Sequence, residues 1–276
     1  MTHFAENFGL SGSLPDELGL LSTLENLIIK DEEVGGTIPS SLGHLVNLIQ
    51  LGLYRNRLVG TVPGDIFHAT NLNYLNFQGN SINGTIPSQI QALQNLDTLV
   101  LLDNDMTGAI PFQSLANTKV RYLGLSNNFF SGTLSNSLGL LTDLEYVYLD
   151  DNLLSGSLPK TLGNATNLQS VDMSGNRLAG PIGLAGLRQL RQLRYLSFAR
   201  NSFTGLFPVE VAYLPYIQTL NLATNQLLGP LPNLSGMLGL NNLFLQQNQF
   251  SGPVHPSVAR LSQLGKLSDA CNSRPD

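Results

Sequence analysis

The chain of 276 residues is 42% apolar and only 12% charged, and its net charge is −5. This acidic balance disfavours nucleic-acid binding, because phosphate contacts need clustered Lys and Arg. No apolar run reaches the ~18 residues of a membrane-spanning helix, and residues 1–6 lack the basic start and apolar stretch of a signal peptide.

One short motif recurs along the chain: an apolar residue, any residue and glycine, usually followed by an apolar–proline pair, as in Leu10–Pro15. Its glycines are Gly12, Gly36, Gly60, Gly84, Gly108, Gly132, Gly156, Gly180, Gly205, Gly229 and Gly252. They are 24 residues apart seven times, and then 25, 24 and 23 residues apart. A period of this length is typical of stacked supersecondary units. It predicts a recognition surface and argues against a buried catalytic cleft.

Between the glycines a second segment recurs with the spacing L-x-x-L-x-L-x-x-N. A first copy begins at Leu24, with Glu32 in place of the asparagine, and the clear copies begin at Leu48, Leu72, Leu96, Val120, Leu144, Leu168, Leu193, Ile217 and Leu240. Alternation at the fourth and sixth positions predicts a short strand with one buried face. Such a strand cannot bury that face alone, so the repeats must stack into a parallel sheet.

The last position of each segment predicts a ladder inside the stack. Its asparagines are Asn56, Asn80, Asn104, Asn128, Asn152, Asn176, Asn201, Asn225 and Asn248. The chain turns inward there, and an asparagine amide both donates and accepts hydrogen bonds to backbone groups that a buried turn leaves unpaired. The glycine four residues later marks a left-handed or crowded backbone, and the proline that usually follows fixes an extended one.

The complete motif, L-x-x-L-x-L-x-x-N-x-L-x-G-x-[IL]-P, resembles the plant-type leucine-rich repeat. That type occurs in ectodomains of receptor-like kinases and receptor-like proteins, and in secreted polygalacturonase-inhibiting proteins. The resemblance implies an α/β fold: a right-handed, horseshoe-shaped solenoid of ten to eleven 24-residue repeats, with a parallel sheet on a concave face that binds partners. Departures are local, since Ser135, Gly183 and His255 replace prolines.

We expect one leucine-rich repeat domain over residues 1–276, with repeats at 8–267 and a degenerate C-terminal end at 268–276. Members of the plant type usually carry cysteine-paired caps at both ends, whereas Cys271 is the one cysteine of this chain. An uncapped solenoid exposes the apolar interior of its terminal coil. We therefore interpret the chain as a fragment of a longer protein, the alternative being that aromatic residues cover the ends.

Positions three, five and seven of each segment point out of the predicted sheet, with position eight beside them. The candidate ligand-binding residues on this face are Tyr54, Tyr74, Asp103, Tyr122, Tyr146, Tyr148, Asp150, Asp151, Asp172, Tyr195 and Phe244. Tyrosine offers a large, rigid contact area, which favours a binding role. The alternative is that the tyrosines only stack on neighbouring strands.

Acidic residues concentrate on the same face. Neighbouring strands lie about 4.8 Å apart, so we expect Asp150, Asp151 and Asp172 to form one patch with the tyrosines of those strands. That patch suits a basic or amine-bearing partner. The alternative is a solvated face whose charge is balanced by Arg55 and Arg200. Away from the strands, Arg188, Arg191 and Arg194 recur at every third residue, and we interpret them as a solvated basic face.

Three sequons, at Asn83, Asn164 and Asn233, favour an extracellular or cell-surface location. We expect none of them to lie on a strand face, so that glycans would leave the concave surface open. The four histidines lie in different repeats without metal-ligand spacing, and no phosphate-cradling motif is present. We therefore expect no enzyme activity, metal or cofactor.

The sequence thus predicts a module that recognises a protein or peptide and reaches a membrane only through segments outside this chain. The leading interpretation is the ligand-sensing ectodomain of a receptor-like protein or receptor-like kinase. The alternatives are a secreted inhibitor of a microbial cell-wall hydrolase and an intracellular structural scaffold.

Overall fold

A computed structural model describes residues 9–184, 186–253 and 256–257. The chain divides into two compact units, Met1–Ser131 and Gly132–Asp276, which we call the N-terminal and C-terminal units. The predicted C-terminal end at 268–276, together with Cys271 and His255, lies outside the described residues.

The L-x-x-L-x-L segments form parallel strands in both units, as predicted; we call them the first sheet. In the N-terminal unit its strands are Asn26–Ile28, Gln50–Gly52, Tyr74–Asn76, Thr98–Val100 and Tyr122–Gly124. In the C-terminal unit they are Tyr146–Tyr148, Ser170–Asp172, Tyr195–Ser197, Thr219–Asn221 and Asn242–Phe244. The register places equivalent positions side by side, so that Leu51 pairs with both Leu27 and Leu75. Strands this short are stable only because each is stacked between neighbours.

A second parallel sheet, which is not predicted from the sequence, contains the periodic glycines from Gly12 to Gly229. In the N-terminal unit its strands are Ser11–Ser13, Glu33–Thr37, Arg57–Thr61, Ser81–Gly84 and Asp105–Gly108, followed by Phe129–Thr133, which pairs through Phe129 and Phe130. In the C-terminal unit they are Leu153–Gly156, Arg177–Pro181, Ser202–Leu206, Gln226–Gly229 and Gln249–Phe250. The glycines have φ between +73° and +88°, a region that residues with a Cβ rarely adopt. Glycine therefore replaces the β-branched residues that would have marked a strand in the sequence.

In the repeats between Asp16 and Tyr213, the remaining part contains a short helical turn. The 3₁₀ turns are Asp16–Leu20, Ser40–His44, Gly64–His68, Ser88–Ala92, Asn136–Leu140, Leu162–Asn164, Ile182–Leu184, Leu187–Gln189 and Val209–Tyr213, and Phe112–Leu115 is α-helical. Proline directly before a 3₁₀ turn is extended at Pro15, Pro39, Pro63 and Pro87, with φ −71° and ψ 136° at Pro39. Where Ser135 replaces the proline, its Oγ accepts a hydrogen bond of 3.2 Å from the N–H of Ser137. A side-chain cap thus takes the place of a fixed φ angle.

The core of each unit lies between the two sheets and the turns. In the N-terminal unit Leu48, Leu51 and Phe77 are fully buried, and in the C-terminal unit Leu168 and Phe203 are. Burying a side chain of this size contributes about 1.5–3 kcal/mol. The apolar positions of the repeat therefore supply the stabilisation that each short strand lacks.

The predicted asparagine ladder is present within both units. Nδ2 of Asn128 donates to the carbonyl oxygens of Leu101, Leu125 and Ser126, at 2.8–3.2 Å. Its Oδ1 accepts a bond of 3.0 Å from the N–H of Met106, 22 residues earlier. Asn104 in the same unit and Asn225 in the C-terminal unit likewise bond to backbone groups of their own turn and of the repeat before it.

The ladder begins differently at Glu32. Its Oε2 accepts hydrogen bonds from the N–H groups of Gly9 and Leu10, at 3.0 and 2.9 Å. The carboxylate thereby performs the acceptor half of the asparagine's role for the first repeat. The substitution keeps the turn satisfied, in agreement with the expectation that it does not disturb the fold.

Candidate functional site

In the N-terminal unit, Tyr54, Tyr74 and Tyr122 lie half-buried on the exposed face of the first sheet. The ring of Tyr122 lies over Gly124, where a Cβ atom would be 3.0 Å from Cε1 of the ring. The ring of Tyr54 lies over Gly52 in the same way, at 3.3 Å. Glycines at position five thus allow the rings to lie along the sheet, which keeps them ordered while one side stays accessible.

Tyr74 is held by its own strand. Its hydroxyl accepts a hydrogen bond of 2.7 Å from Nδ2 of Asn76. Burial raises the pKa of the Tyr74 phenol, the bond from Asn76 opposes that rise, and neighbouring Tyr54 adds to it. Tyr54 and Tyr74 are therefore close enough to interact, and the phenol of Tyr74 is neutral at physiological pH.

Position eight of the segment forms a row along the edge of the sheet. Its residues with positive φ are Asp31, Arg55, Gly79, Asp103, Asn127, Asp151, Gly175, Arg200, Thr224 and Gln247. In the N-terminal unit, Arg55 lies 3.2 Å from Asp31. Asp103 accepts bonds from Nε2 of Gln78, at 3.2 Å, and from Nδ2 of Asn127, at 2.8 Å. The predicted site residue Asp103 therefore belongs to this edge row.

In the C-terminal unit, two of the predicted aromatic residues adjoin Asp172, and a third, Tyr146, lies on the neighbouring strand with its hydroxyl 3.3 Å from Oε1 of Gln169. Tyr148 pairs directly with Asp172 on the next strand, and Tyr146 pairs with Ser170. From the strand beyond, the hydroxyl of Tyr195 donates a hydrogen bond of 2.9 Å to Oδ2 of Asp172. We call Tyr146, Tyr148, Asp172 and Tyr195 the tyrosine–aspartate cluster.

Asp172 is fixed from two directions. Besides the bond from Tyr195, its Oδ1 accepts from the N–H and the hydroxyl of Ser174, at 2.9 and 2.6 Å. Burial, the negative charge of Asp172, the bond to that carboxylate and the more distant charge of Asp150 together raise the pKa of Tyr195 to about 12. An ionised carboxylate has about four acceptor positions, so Asp172 retains room for one more donor.

The single acidic patch expected from the sequence divides in the structure. Asp151 turns to the edge row, where Arg200 lies 3.0 Å away. The balancing of charge by arginine therefore holds for Asp151, whereas Asp150 and Asp172 act on Tyr195. Phe244 pairs with Asn221, away from the cluster. The strand period places these side chains on one face correctly, but spacing alone does not reveal which of them pair.

The three sequon asparagines occupy different environments. Asn83 lies in the second-sheet strand Ser81–Gly84, and none of the three lies in a strand of the first sheet, as expected. Asn164 ends the 3₁₀ turn Leu162–Asn164, and Asn233 lies in a loop. All three side chains are exposed.

A polar groove of about 620 Å³, not predicted from the sequence, lies in the N-terminal unit. It is lined by Glu25, Asn47, Ile49, Asn71, Asn73, Asn95 and Lys119. Nδ2 of Asn47 and of Asn71 donates to a backbone carbonyl of the preceding repeat, at 2.8 and 2.9 Å. These residues precede the outward positions of each strand, and their recurrence at 24-residue steps is the signal that could have revealed them.

Over residues 9–184, 186–253 and 256–257, no group of three or more His, Cys, Asp and Glu side chains is arranged to hold a metal ion. No helix in the same ranges is both long and apolar enough to cross a membrane.

Comparison with known families agrees with the repeat geometry. The Leucine Rich Repeat family model matches residues 71–93, 119–141 and 143–165. A comparison with curated proteins finds no match. Together with the repeat pattern and the two parallel sheets, the three matched segments identify the repeats as leucine-rich repeats, and their motif is of the plant type.

Solved structures resemble the chain over most of its length. The Arabidopsis receptor kinase HAESA, in complex with the peptide hormone IDA and the co-receptor SERK1, is 32% identical with a TM-score of 0.76, covering 91% of this chain and 46% of that one. A TDR receptor is 26% identical with a TM-score of 0.82, covering 91% and 48%. A plant ice-binding protein is 25% identical with a TM-score of 0.73, covering 89% and 80%. The chain thus spans about half the length of the two receptor structures.

Proposed function

We propose that the chain is the ligand-sensing part of the extracellular domain of a plant receptor-like protein or receptor-like kinase, and that it binds a peptide or protein on the exposed face of the first sheet. The observation that carries the proposal is the tyrosine–aspartate cluster, in which Tyr195 is hydrogen-bonded to Asp172 beside Tyr148. Solved structures of similar chains include peptide-hormone receptors in complex with their hormones, which supports this class of ligand.

The cluster has the chemistry to receive a cationic group. Asp172 is half-buried and positioned by Ser174 and Tyr195, so little side-chain freedom is lost on binding. The faces of Tyr146 and Tyr148 carry the negative quadrupole that attracts ammonium and guanidinium groups. A lysine, an arginine or a free amino terminus of the ligand would therefore bind between the rings and donate to Asp172.

The proposal is tested with short synthetic peptides, with and without a basic residue, in calorimetric titrations of the purified chain. We expect the basic peptides to bind, and Tyr146→Ala combined with Tyr148→Ala to abolish that binding while the melting temperature stays nearly unchanged. Tyr216→Ala is the matched control, because Tyr216 is an exposed tyrosine outside the cluster. Normal binding by the double variant would reject the cluster as the ligand site.

A second candidate function is adsorption to ice, suggested by the similar plant ice-binding protein, of which the chain covers 80%. The supporting observation is a row of exposed threonines on the second sheet of the N-terminal unit. Cγ2 of Thr37, Thr61 and Thr85 would lie 3.0, 2.8 and 2.7 Å from a Cβ on the glycine of the following strand. Each methyl group is thus held against a glycine, which fixes the rotamers in a regular array.

The two candidates respond to different variants. Inhibition of ice recrystallisation by the purified chain, lost in Thr61→Lys and retained in Tyr148→Ala, would favour ice adsorption. The opposite pattern, with peptide binding lost in Tyr148→Ala alone and no effect on ice growth, favours the receptor.

A further inference from the structure

A groove of about 400 Å³ lies in the C-terminal unit, beside the last sequon. It is lined by Val209, Ala212, Tyr213, Pro232, Asn233, Ser235 and Gly236. Tyr213 and Val209 are 61% and 48% exposed. The groove therefore presents an aromatic ring and aliphatic groups to solvent next to a potential glycan acceptor.

Tyr213 is contacted on one side by an arginine. It is the last residue of the 3₁₀ turn Val209–Tyr213, between the buried side chains of Val211 and Leu214. The guanidinium carbon of Arg188 lies 4.5 Å from the centroid of its ring, which is a cation–π distance. Arg188, expected from the sequence to be part of a solvated basic face, thus covers one side of this ring.

The side chain of Asn233 is positioned by a hydrogen bond within its own loop. Its Oδ1 accepts a hydrogen bond of 2.9 Å from the N–H of Ser235, which closes an Asx turn. Leu234 between them is buried, and its N–H donates to Oγ of Ser257 at 3.0 Å. The loop therefore fixes the carboxamide at the groove, with Nδ2, the atom that carries an N-linked glycan, on an exposed residue.

We propose that this groove holds an N-linked glycan attached to Asn233, whose first sugars pack on the ring of Tyr213. In the attachment, Nδ2 loses a proton and bonds to the anomeric carbon of an oligosaccharide, while the bond from that carbon to its phosphorylated lipid carrier breaks and its electron pair leaves with the phosphate. The C–H groups on one face of a pyranose are weakly positive and pack on the negative face of an aromatic ring, by the electrostatics that also place Arg188.

The position of Asn233 in the lining of the groove identifies the glycan as its occupant. Because the attachment atom belongs to a residue that lines the groove, the first sugars are delivered into it without loss of translational freedom. Neither Asn83 nor Asn164 lines this groove. The proposal rests on the extracellular location included in the proposed function, and it assigns a structural role to one sequon in particular.

The test compares protein secreted by a host that attaches N-glycans with protein made in bacteria. Mass spectrometry of the secreted chain should find Asn233 occupied. Ser235→Ala removes that sequon while keeping the backbone N–H of the Asx turn. We expect this variant to lower the melting temperature of the secreted protein by about 2–4 °C and to increase amide hydrogen exchange in residues 209–213. Bacterial protein should not respond.

Two matched variants isolate the contact. Thr166→Ala removes the Asn164 sequon and should change neither readout. In a Tyr213→Ala background, Ser235→Ala should have no further effect, because the partner of the glycan is gone. An unoccupied Asn233 in the secreted protein overturns the proposal, and so does an occupied Asn233 whose loss alters both preparations equally. Peptide binding by bacterial protein is measured separately, so the receptor proposal stands or fails independently.

Discussion

Arg200 forms an ion pair with Asp151 across an intervening repeat. Nη2 of Arg200 lies 3.0 Å from Oδ1 of Asp151, although the two residues are 49 apart in sequence. The residue between them in the edge row is Gly175, and a Cβ there would be 2.1 Å from the same carboxylate oxygen. The pair can close only because this position has no side chain.

Gly175→Ala should therefore lower the free energy of unfolding by more than the backbone strain of a left-handed alanine alone. Gly175 has φ +64°, and a left-handed alanine costs about 1–2 kcal/mol. Displacing an exposed ion pair adds at most about 1 kcal/mol. The control is Gly79→Ala, with φ +68°, because the atom nearest to its new Cβ is Cγ of Arg55 at 3.3 Å and not a carboxylate oxygen of an ion pair. Urea unfolding should show a larger loss for Gly175→Ala, and equal losses would mean that the ion pair contributes nothing.

Asn128→Ala should be among the most destabilising single changes in the N-terminal unit. It removes the acceptor of the buried Met106 N–H and one donor to each of three carbonyl groups, of which those of Leu101 and Ser126 keep a second donor in Asn104 and Asp103. The unsatisfied N–H costs about 1–3 kcal/mol and each other lost bond about 1 kcal/mol, so we expect a loss of about 3 kcal/mol. Asn95→Ala, at an exposed asparagine, should stay within about 0.5 kcal/mol. Unfolding of both variants at the same urea concentration would contradict the role of the ladder.

Gly108→Ala tests the packing of threonine on the second sheet. The new methyl group would lie 2.7 Å from Cγ2 of Thr85, whereas at Gly180 the nearest atom, Cβ of Ser157, is 3.7 Å away. Both glycines have nearly the same positive φ, so Gly180→Ala reports strain alone. We expect Gly108→Ala to have the lower melting temperature, and Thr85→Ser to restore part of the difference. No rescue by Thr85→Ser would show that the methyl contact is not the cause.

Tyr195 should be among the last tyrosines to ionise. Its pKa of about 12 in the folded chain exceeds the ordinary value of 10.0, so the fold favours the neutral phenol. The stability from this shift is complete below pH ~10 and is lost as the pH rises toward ~12. Phenolate absorbance should show a late-titrating group that disappears in Tyr195→Phe. In Asp172→Asn, a pKa of Tyr195 that remains near 12 would exclude the aspartate as a cause.

The sequence predicts those parts of the fold in which the same residue type recurs at the same position of every repeat. Leucine spacing predicts the first sheet, and the asparagine column predicts the ladder, because each position has one chemical role in every repeat. The second sheet escapes prediction because its strands are marked by glycines such as Gly84, whose positive φ excludes the residues that usually indicate strands. The amino-acid composition of these segments is not typical of strands, but stacking of the repeats makes them strands.

For the candidate site, the sequence predicts only which face of the first sheet the side chains lie on, and not which of them contact each other. Strand alternation correctly places Tyr148 and Asp172 on the exposed side of the first sheet. The bond from Tyr195 to Asp172 depends on rotamers, and the pair between Asp151 and Arg200 depends on a small residue in the repeat between them. Neither feature recurs with the repeat period. The repeat pattern therefore groups Asp151 with Asp150 and Asp172, whereas in the structure it pairs with Arg200.

The ladder bonds have a consequence for how such a gene can change length. Nδ2 and Oδ1 of an asparagine meet carbonyl and N–H groups at nearly constant offsets in the preceding coil, as at Asn104 and Asn225. Recombination that duplicates or deletes one whole period inside a unit returns every amide to an equivalent partner, wherever the breakpoints fall. An insertion or deletion of even one residue would leave the backbone groups of a buried turn without their asparagine partner. The ladder therefore restricts changes in the length of the gene to whole repeats.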